Sequence, residues 1–197
     1  FVLAEAQGST RDKAAAVKLP AESRLQVFAG MAMSSSLDSH PVAAMGLAAM
    51  CNAQEANLPL VAKIALPALV RLARSTDPDT QCAALDAMNV LVAESPQVQV
   101  DLVRMGALKM LLERAATTNV ENADIRSLAL SVLQHVSSNG SNMTALQAPE
   151  VGGRLRALVQ QSAGEPKVSQ QVDSILQSIR TISTLLELQG KQRPLNT

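Results

Sequence analysis

The chain has 197 residues, and its 17 Lys and Arg balance 17 Asp and Glu. That length suits one domain able to bury roughly 70% of its unfolded surface, and zero net charge excludes a long-range field that gathers nucleic acid or an anionic membrane. Two Phe with no Tyr and no Trp all but exclude base-stacking platforms, aromatic cages and Trp-anchored hot spots.

The apolar content is mostly Ala, Leu, Val and Met, largely good helix formers, so the reading is all-α. Cys51 and Cys82 are too few for a disulfide framework and lack metal-ligand spacing, which points to a reducing, intracellular compartment, cytoplasmic or mitochondrial. No apolar run reaches the length that spans a bilayer, so no membrane insertion is expected. A first residue of Phe rather than Met fits a processed precursor or a fragment, a removed organellar presequence being one origin.

Residues 1–20 read as an arm, with a short helix over Arg11 to Lys18. Ala21 to Ser35 places Leu25, Phe28, Ala29 and Ala32 at spacings of three and four, one face of a helix. Ser34 to Ser39 is a turn, and His40 to Ala53 is a helix with Ala43, Gly46, Leu47 and Met50 on one face. Gln54 to Ala65 reads as a short helix interrupted by Pro59, and Leu66 to Ser75 as a separate one. Asp77 supplies an N-cap with Pro78 at the first helical position. From there to Thr118 come a long helix, a short one over Pro96 to Met105 and another over Ala107 to Ala116, with Gly106 between the last two. Asn122 to Ser138 is the next long helix. Gly152 and Gly153 read as an inter-helix turn before Leu155, and Glu165 to Leu188 as a long final helix. Residues 191–197 are a tail that frays from Leu188 onward.

Two ladders run through these elements. Ala43-Gly46-Leu47-Met50 recurs as Ala84-Ala87-Met88-Leu91, Ala129-Val132-Leu133-Val136 and Val172-Ile175-Leu176-Ile179, at steps of 41, 45 and 43 residues. A second, starting at Leu25, Leu66, Leu108 and Leu155, steps by 41, 42 and 47. Two ladders with one period mark a repeat architecture, in which each unit buries its apolar stripe against its neighbours.

A step of this size with three helices per unit resembles the armadillo repeat family, with HEAT repeats as its close relative. The resemblance covers residues 22 to 188 and implies a right-handed α-solenoid of about four three-helix units, here the domain over 21–190. It implies a concave face lined by the third helix of each unit, where proteins of this class hold partners. Members that grip extended peptides carry Trp and Asn ladders there. The matching positions here are Met45, Asp86, Ser131 and Ser174 for Trp, and Ala49, Val90, His135 and Ile179 for Asn, so neither ladder is present.

The candidate groove is therefore Met45, Ala49, Asp86, Asn89, Val90, Ser131, Gln134, His135, Ser174, Gln177 and Ser178, a small, neutral, weakly polar surface. It suits a folded protein partner better than a charged peptide. There is no nucleophile motif, no Gly-rich phosphate loop and no metal constellation, so neither catalysis nor a cofactor is expected. Arg71, Arg74, Arg104, Lys109, Arg114, Arg154 and Arg156 read as the solvated outer face of the solenoid. Asn139-Gly-Ser141 and Asn142-Met-Thr144 match the glycosylation sequon but read as turns. The function expected is a non-catalytic protein–protein interaction scaffold. Its alternative is a structural accessory subunit of a large assembly, with the mitochondrion as one location, and a helical-repeat RNA binder ranks below both because the third helices lack basic, base-reading residues.

Overall fold

The computed structural model describes residues 21–53, 58–119, 122–162 and 164–192, with side chains to residue 189. The arm at 1–20, its expected helix and the last residues of the tail lie outside them. Prolines and their caps set where several helices begin. Asp77 accepts from the Thr80 amide at 3.0 Å and from the Thr80 hydroxyl ahead of Pro78, and Ser95 accepts from the Val98 amide at 3.4 Å ahead of Pro96. Pro149 and Pro166 open two further helices, where a missing N–H costs nothing.

Among the described residues there are ten α-helices and no strand: α1 Ala21–Met33, α2 His40–Ala53, α3 Leu58–Leu72, α4 Pro78–Glu94, α5 Pro96–Arg104, α6 Ala107–Ala115, α7 Ala123–Ser137, α8 Met143–Leu146, α9 Pro149–Gln161 and α10 Pro166–Gln192. The third helices of the four units are α2, α4, α7 and α10, and they pack side by side as one layer. The helices α1, α3, α5, α6 and α9 form the second layer. The chain is thus an all-α solenoid of armadillo-like units. Its core is the two ladders: Ala43, Leu47, Ala84, Met88, Ala129, Leu133, Val172 and Ile175 are buried in one layer, and Leu25, Leu66, Leu108 and Leu155 in the other.

Two local expectations are corrected. The break between Gln54–Ala65 and Leu66–Ser75 does not exist, because α3 runs unbroken through Pro67. Pro59 sits in its first turn, where proline is tolerated. Pro67 removes one backbone hydrogen bond and costs about 3 kcal/mol. Burial of Leu58, Val61, Leu66, Leu69, Val70 and Leu72 along the same helix outweighs that, at roughly 1.5–3 kcal/mol for each such side chain. The second unit therefore has two helices where the third has three.

Gly152 and Gly153 are not a turn either. Both lie inside α9, whose start is fixed by Pro149 and by the buried stripe Val151, Leu155 and Leu158. The turn falls before it, at Gln147 and Ala148. Gly106 does hold the expected role: its φ of +70° places it in the left-handed region between α5 and α6, which glycine enters without a Cβ penalty. The last helix also outruns Leu188, reaching Gln192.

Polar side chains stitch each unit to the one before. Arg71 donates to the carbonyls of Met33 (2.7 Å) and Ser34 (2.9 Å), just where α1 ends. Arg114 repeats the motif on Ala73 (3.3 Å) and Ser75 (3.5 Å), past the end of α3. A cation at a helix C-terminus satisfies orphan carbonyls and opposes the helix dipole. These two arginines are structural rather than part of a solvated basic stripe. The sequon residues act likewise: Asn139 donates to the Pro96 carbonyl (2.9 Å) and to Gln99 Oε1 (3.1 Å), and the buried Asn142 to the Val136 carbonyl (3.1 Å).

Candidate functional site: the face of the third helices

The positions two residues after each ladder start are Met45, Asp86, Ser131 and Ser174, one on each third helix. Their surroundings divide the face in two. In the first half, α2, α4 and α7 enclose a notch of about 610 Å³ lined by Met45, Ala48, Asp79, Cys82, Ala83, Asp86, Asp124, Ser127 and Leu128. Among the described residues its walls carry three carboxylates and no cation. Met45 is 69% exposed at its rim. Asp79 and Asp124, in the first turns of α4 and α7, offset the helix dipoles there.

In the second half, α7 and α10 frame two smaller clefts of about 280 Å³ each. Leu130, Ser131, Gln134, Gln170, Gln171 and Ser174 line one of them. The other is lined by Ser138, Ser174, Gln177, Ser178, Thr181 and Ile182. Much of this polarity is already engaged between neighbouring third helices. Ser131 donates to Asn89 Oδ1 at 2.7 Å, Gln134 Nε2 donates to Ser178 Oγ at 3.4 Å, and Asn52 donates to Asp86 at 3.3 Å.

Of the sequence candidates, the structure thus brings Met45 and Asp86 together in one notch, and Ser131, Gln134, Ser174, Gln177 and Ser178 in the two clefts. Asn89 joins the second group through Ser131. Ala49, Val90 and His135 line none of these recesses. In the fourth unit Ser178, not Ile179, takes the position matching Ala49, Val90 and His135; Ile179 packs against the core.

Sequence reading missed Asp79, Cys82 and Asp124, so the first half is acidic rather than neutral. The signal was available: Asp79 and Asp124 stand seven residues before Asp86 and Ser131, two turns along the same face. It also missed a recess of about 930 Å³ at the start of α7 and α10, where Arg126 and Glu165 meet. Arg126 is only 6% exposed, and its Nη1 donates to both Glu165 oxygens at 2.8 and 2.9 Å. That pair ties the start of α10 to α7.

The thiols are poor nucleophiles. Burial, with the Asp86 carboxylate adding to it, pushes the Cys51 thiol up to about 12. Burial and the carboxylates of Asp124, Asp86 and Asp79 also raise Cys82. Both are protonated at neutral pH and lack thiolate reactivity. His40 is buried and donates from Nε2 to the Ser34 carbonyl at 3.1 Å. No group of three or more His, Cys, Asp or Glu among the described residues is arranged to hold a metal ion. No described helix is long and apolar enough to cross a membrane. The acidic notch can hold cationic and apolar groups.

This geometry, helix layers with a row of parallel third helices, is that of an armadillo-like repeat solenoid. No family model and no curated protein matches the chain. Among solved structures it is similar to an engineered protein, with a TM-score of 0.66 and 18% identity over 80% of this chain and 63% of that one. It is also similar to computationally designed armadillo repeat proteins for modular peptide recognition, with a TM-score of 0.63 and 17% identity over 78% of this chain and 63% of theirs. A further designed armadillo repeat protein matches with a TM-score of 0.63 and 14% identity over 82% of this chain and 71% of that one. The chain therefore spans less than two thirds of the first two. At these identities the likeness is one of fold.

Proposed function

We propose that the chain is a non-catalytic protein-interaction module that holds a protein segment on its third-helix face, as part of a larger complex. The observation that carries this reading is the acidic notch: Asp79, Asp86 and Asp124 surround an apolar floor of Ala48, Ala83 and Leu128 with no cation among them. Such a surface attracts Lys or Arg side chains flanking a small apolar residue, and the likeness to proteins designed for peptide recognition supports it. The missing Asn and Trp ladders argue that specificity comes from side-chain charge rather than from clamping the partner's main chain. Two cysteines with no disulfide between them support a reducing, intracellular location.

Affinity purification of the full-length protein with quantitative mass spectrometry tests this, run in parallel on Asp86→Arg and Asp124→Arg. Partners held by wild type, weakened by salt and lost from both variants support the groove. A partner set that ignores both charge reversals sinks it. A second reading, a structural accessory subunit, is favoured by the exposed Leu185, Leu186 and Leu188 near the end of α10. It predicts partners at fixed stoichiometry that persist through high-salt washing.

A further inference from the structure

The recess at the start of α7 and α10 contains a charged group whose hydrogen bonding is incomplete. Arg126 is one of its lining side chains, and only 6% of that residue is exposed. A guanidinium has five N–H groups, and Glu165 takes only those of Nη1, both of its oxygens resting on that one nitrogen. The Nε–H is buried and has no acceptor among the described residues. Buried donors without an acceptor are rare and costly in folded proteins. The Nε–H is also one side of the planar fork with which arginine grips carboxylates.

The rest of the recess is set for an anion. Among the described residues its walls carry Arg126 and Lys167 against the single carboxylate of Glu165, a surplus of one positive charge. Ala123 opens α7 there, and Pro166, Lys167 and Val168 belong to the first turn of α10, which contains no acidic residue. First-turn amides lack intrahelical acceptors, and the helix dipole gives them partial positive charge. One surplus charge is balanced by a carboxylate, whereas a phosphate monoester brings close to two negative charges. At about 930 Å³ the recess has room for a whole side chain. Ser127 lines both this recess and the acidic notch, so the two adjoin on α7 and one segment can enter both.

We infer that this recess is a carboxylate subsite, taking an Asp or Glu side chain of the same protein segment whose basic residue enters the acidic notch. The source of the carboxylate rests on that reading of the notch; the chemistry of the subsite rests on Arg126 and Lys167. The partner's carboxylate accepts from Arg126 Nε–H while Glu165 stays on Nη1, so one guanidinium bridges two carboxylates. The segment recognised therefore carries both signs of charge.

The probes are N-acetylglutamate α-methylamide, which carries one carboxylate, its glutamine counterpart, inorganic phosphate, and capped peptides that place Lys and Glu at increasing separations on alanine spacers. The readout is the Arg126 Nε–H signal in nitrogen-15 NMR of the full-length protein, assigned by its loss in Arg126→Lys. The glutamate probe should shift it saturably, and the glutamine probe should not. Glu165→Gln keeps an acceptor on Nη1 and removes the competing charge, so it should tighten binding about fivefold, whereas Lys167→Glu should weaken it about tenfold. A purely structural role for the Arg126–Glu165 pair predicts neither change. Lys167 is exposed, so its variant should keep the wild-type melting temperature. Arg180→Glu, at an exposed position further along α10, should leave binding unchanged. No shift up to about 50 mM glutamate probe, or tighter binding of phosphate, overturns the inference. Peptides that bind through Asp86 but ignore exchange of Glu for Gln leave the notch reading standing and sink the subsite. If the glutamate probe binds while Lys adds nothing to the peptides and Asp86→Arg changes nothing, the notch reading fails, and the assignment of this recess to the partner segment fails with it.

Discussion

The upstream half of the molecule, α1 to α4, and the downstream half, α5 to α10, are built on one period but use it differently. Upstream, the second unit runs its first two helices together as α3, and the third-helix face is acidic, in a notch that α7 helps to line. Downstream, α5 and α6 are separated at Gly106, and the polar side chains of the face pair across neighbouring third helices, Ser131 with Asn89 of α4 and Gln134 with Ser178 of α10. A shared ladder of buried residues fixes where helices lie. What they present to solvent is free to differ, and here it separates an acidic stretch of the face from one lined by Ser and Gln.

The comparison breaks first in the core. Leu85 and Leu133 are fully buried, one in each half, and truncation of either to Ala should cost on the order of 2–5 kcal/mol in urea unfolding. Loss of cooperativity with only one of them, seen as two transitions, would show that the halves melt separately. The next largest effect concerns the attachment of α10. Glu165→Ala strands the buried Arg126 guanidinium, and a buried charge left alone costs about 3 kcal/mol, less here because Glu165 is half-exposed. Arg126→Met should cost less than Glu165→Ala in the same assay. The reverse order would mean that the pair contributes packing rather than charge balance.

Glycines sharpen the contrast by sign. Gly106→Ala should destabilise by about 1–2 kcal/mol, because its positive φ disfavours a Cβ. Gly153→Ala should stabilise by about 0.5–1 kcal/mol, since it lies within a helix and an added Cβ meets nothing within 4 Å. Equal signs in thermal melts would return Gly152 and Gly153 to the turn expected from sequence. An effect of similar size is expected at the joint before α4. Asp77→Ala should cost about 1 kcal/mol. Hydrogen bonds from the Thr80 hydroxyl and amide hold the Asp77 carboxyl below its ordinary value. Its folded pKa is lowered, so its stabilisation is complete above the unfolded value of about 3.9 and is lost as pH falls through the lower folded one. The difference between wild type and Asp77→Ala in acid titrations should vanish there.

The fold was legible because burial repeats. Every ladder residue had to be apolar or small, and four copies at one period leave little choice of architecture. Helix starts were legible where Pro follows a capping residue, as at Asp77 and Ser95. The misreadings came from taking local signals alone. Pro67 looks like a breaker until the buried side chains around it are weighed, and Gly152 looks like Gly106 until its place in an apolar stripe is seen. The groove was half legible. Position along each third helix could be counted, which found Met45 and Asp86. Asp79 and Asp124 went unnoticed because their contribution depends on helices brought together across 45 residues. Arg126 and Glu165 gave no sign at all, since nothing in a sequence distinguishes a buried arginine from a solvated one.

The backward reach of Arg71, Arg114 and Asn139 has a consequence for the order in which the chain is completed. Arg71 and Arg114 close carbonyls past or at helix ends and Asn139 bonds the first turn of α5, all groups synthesised 37 to 43 residues earlier. A unit leaving the ribosome therefore has frayed ends until the following unit emerges to close them. The repeats are not interchangeable cassettes, and cutting the chain at a period boundary removes the residues that finish the unit left behind.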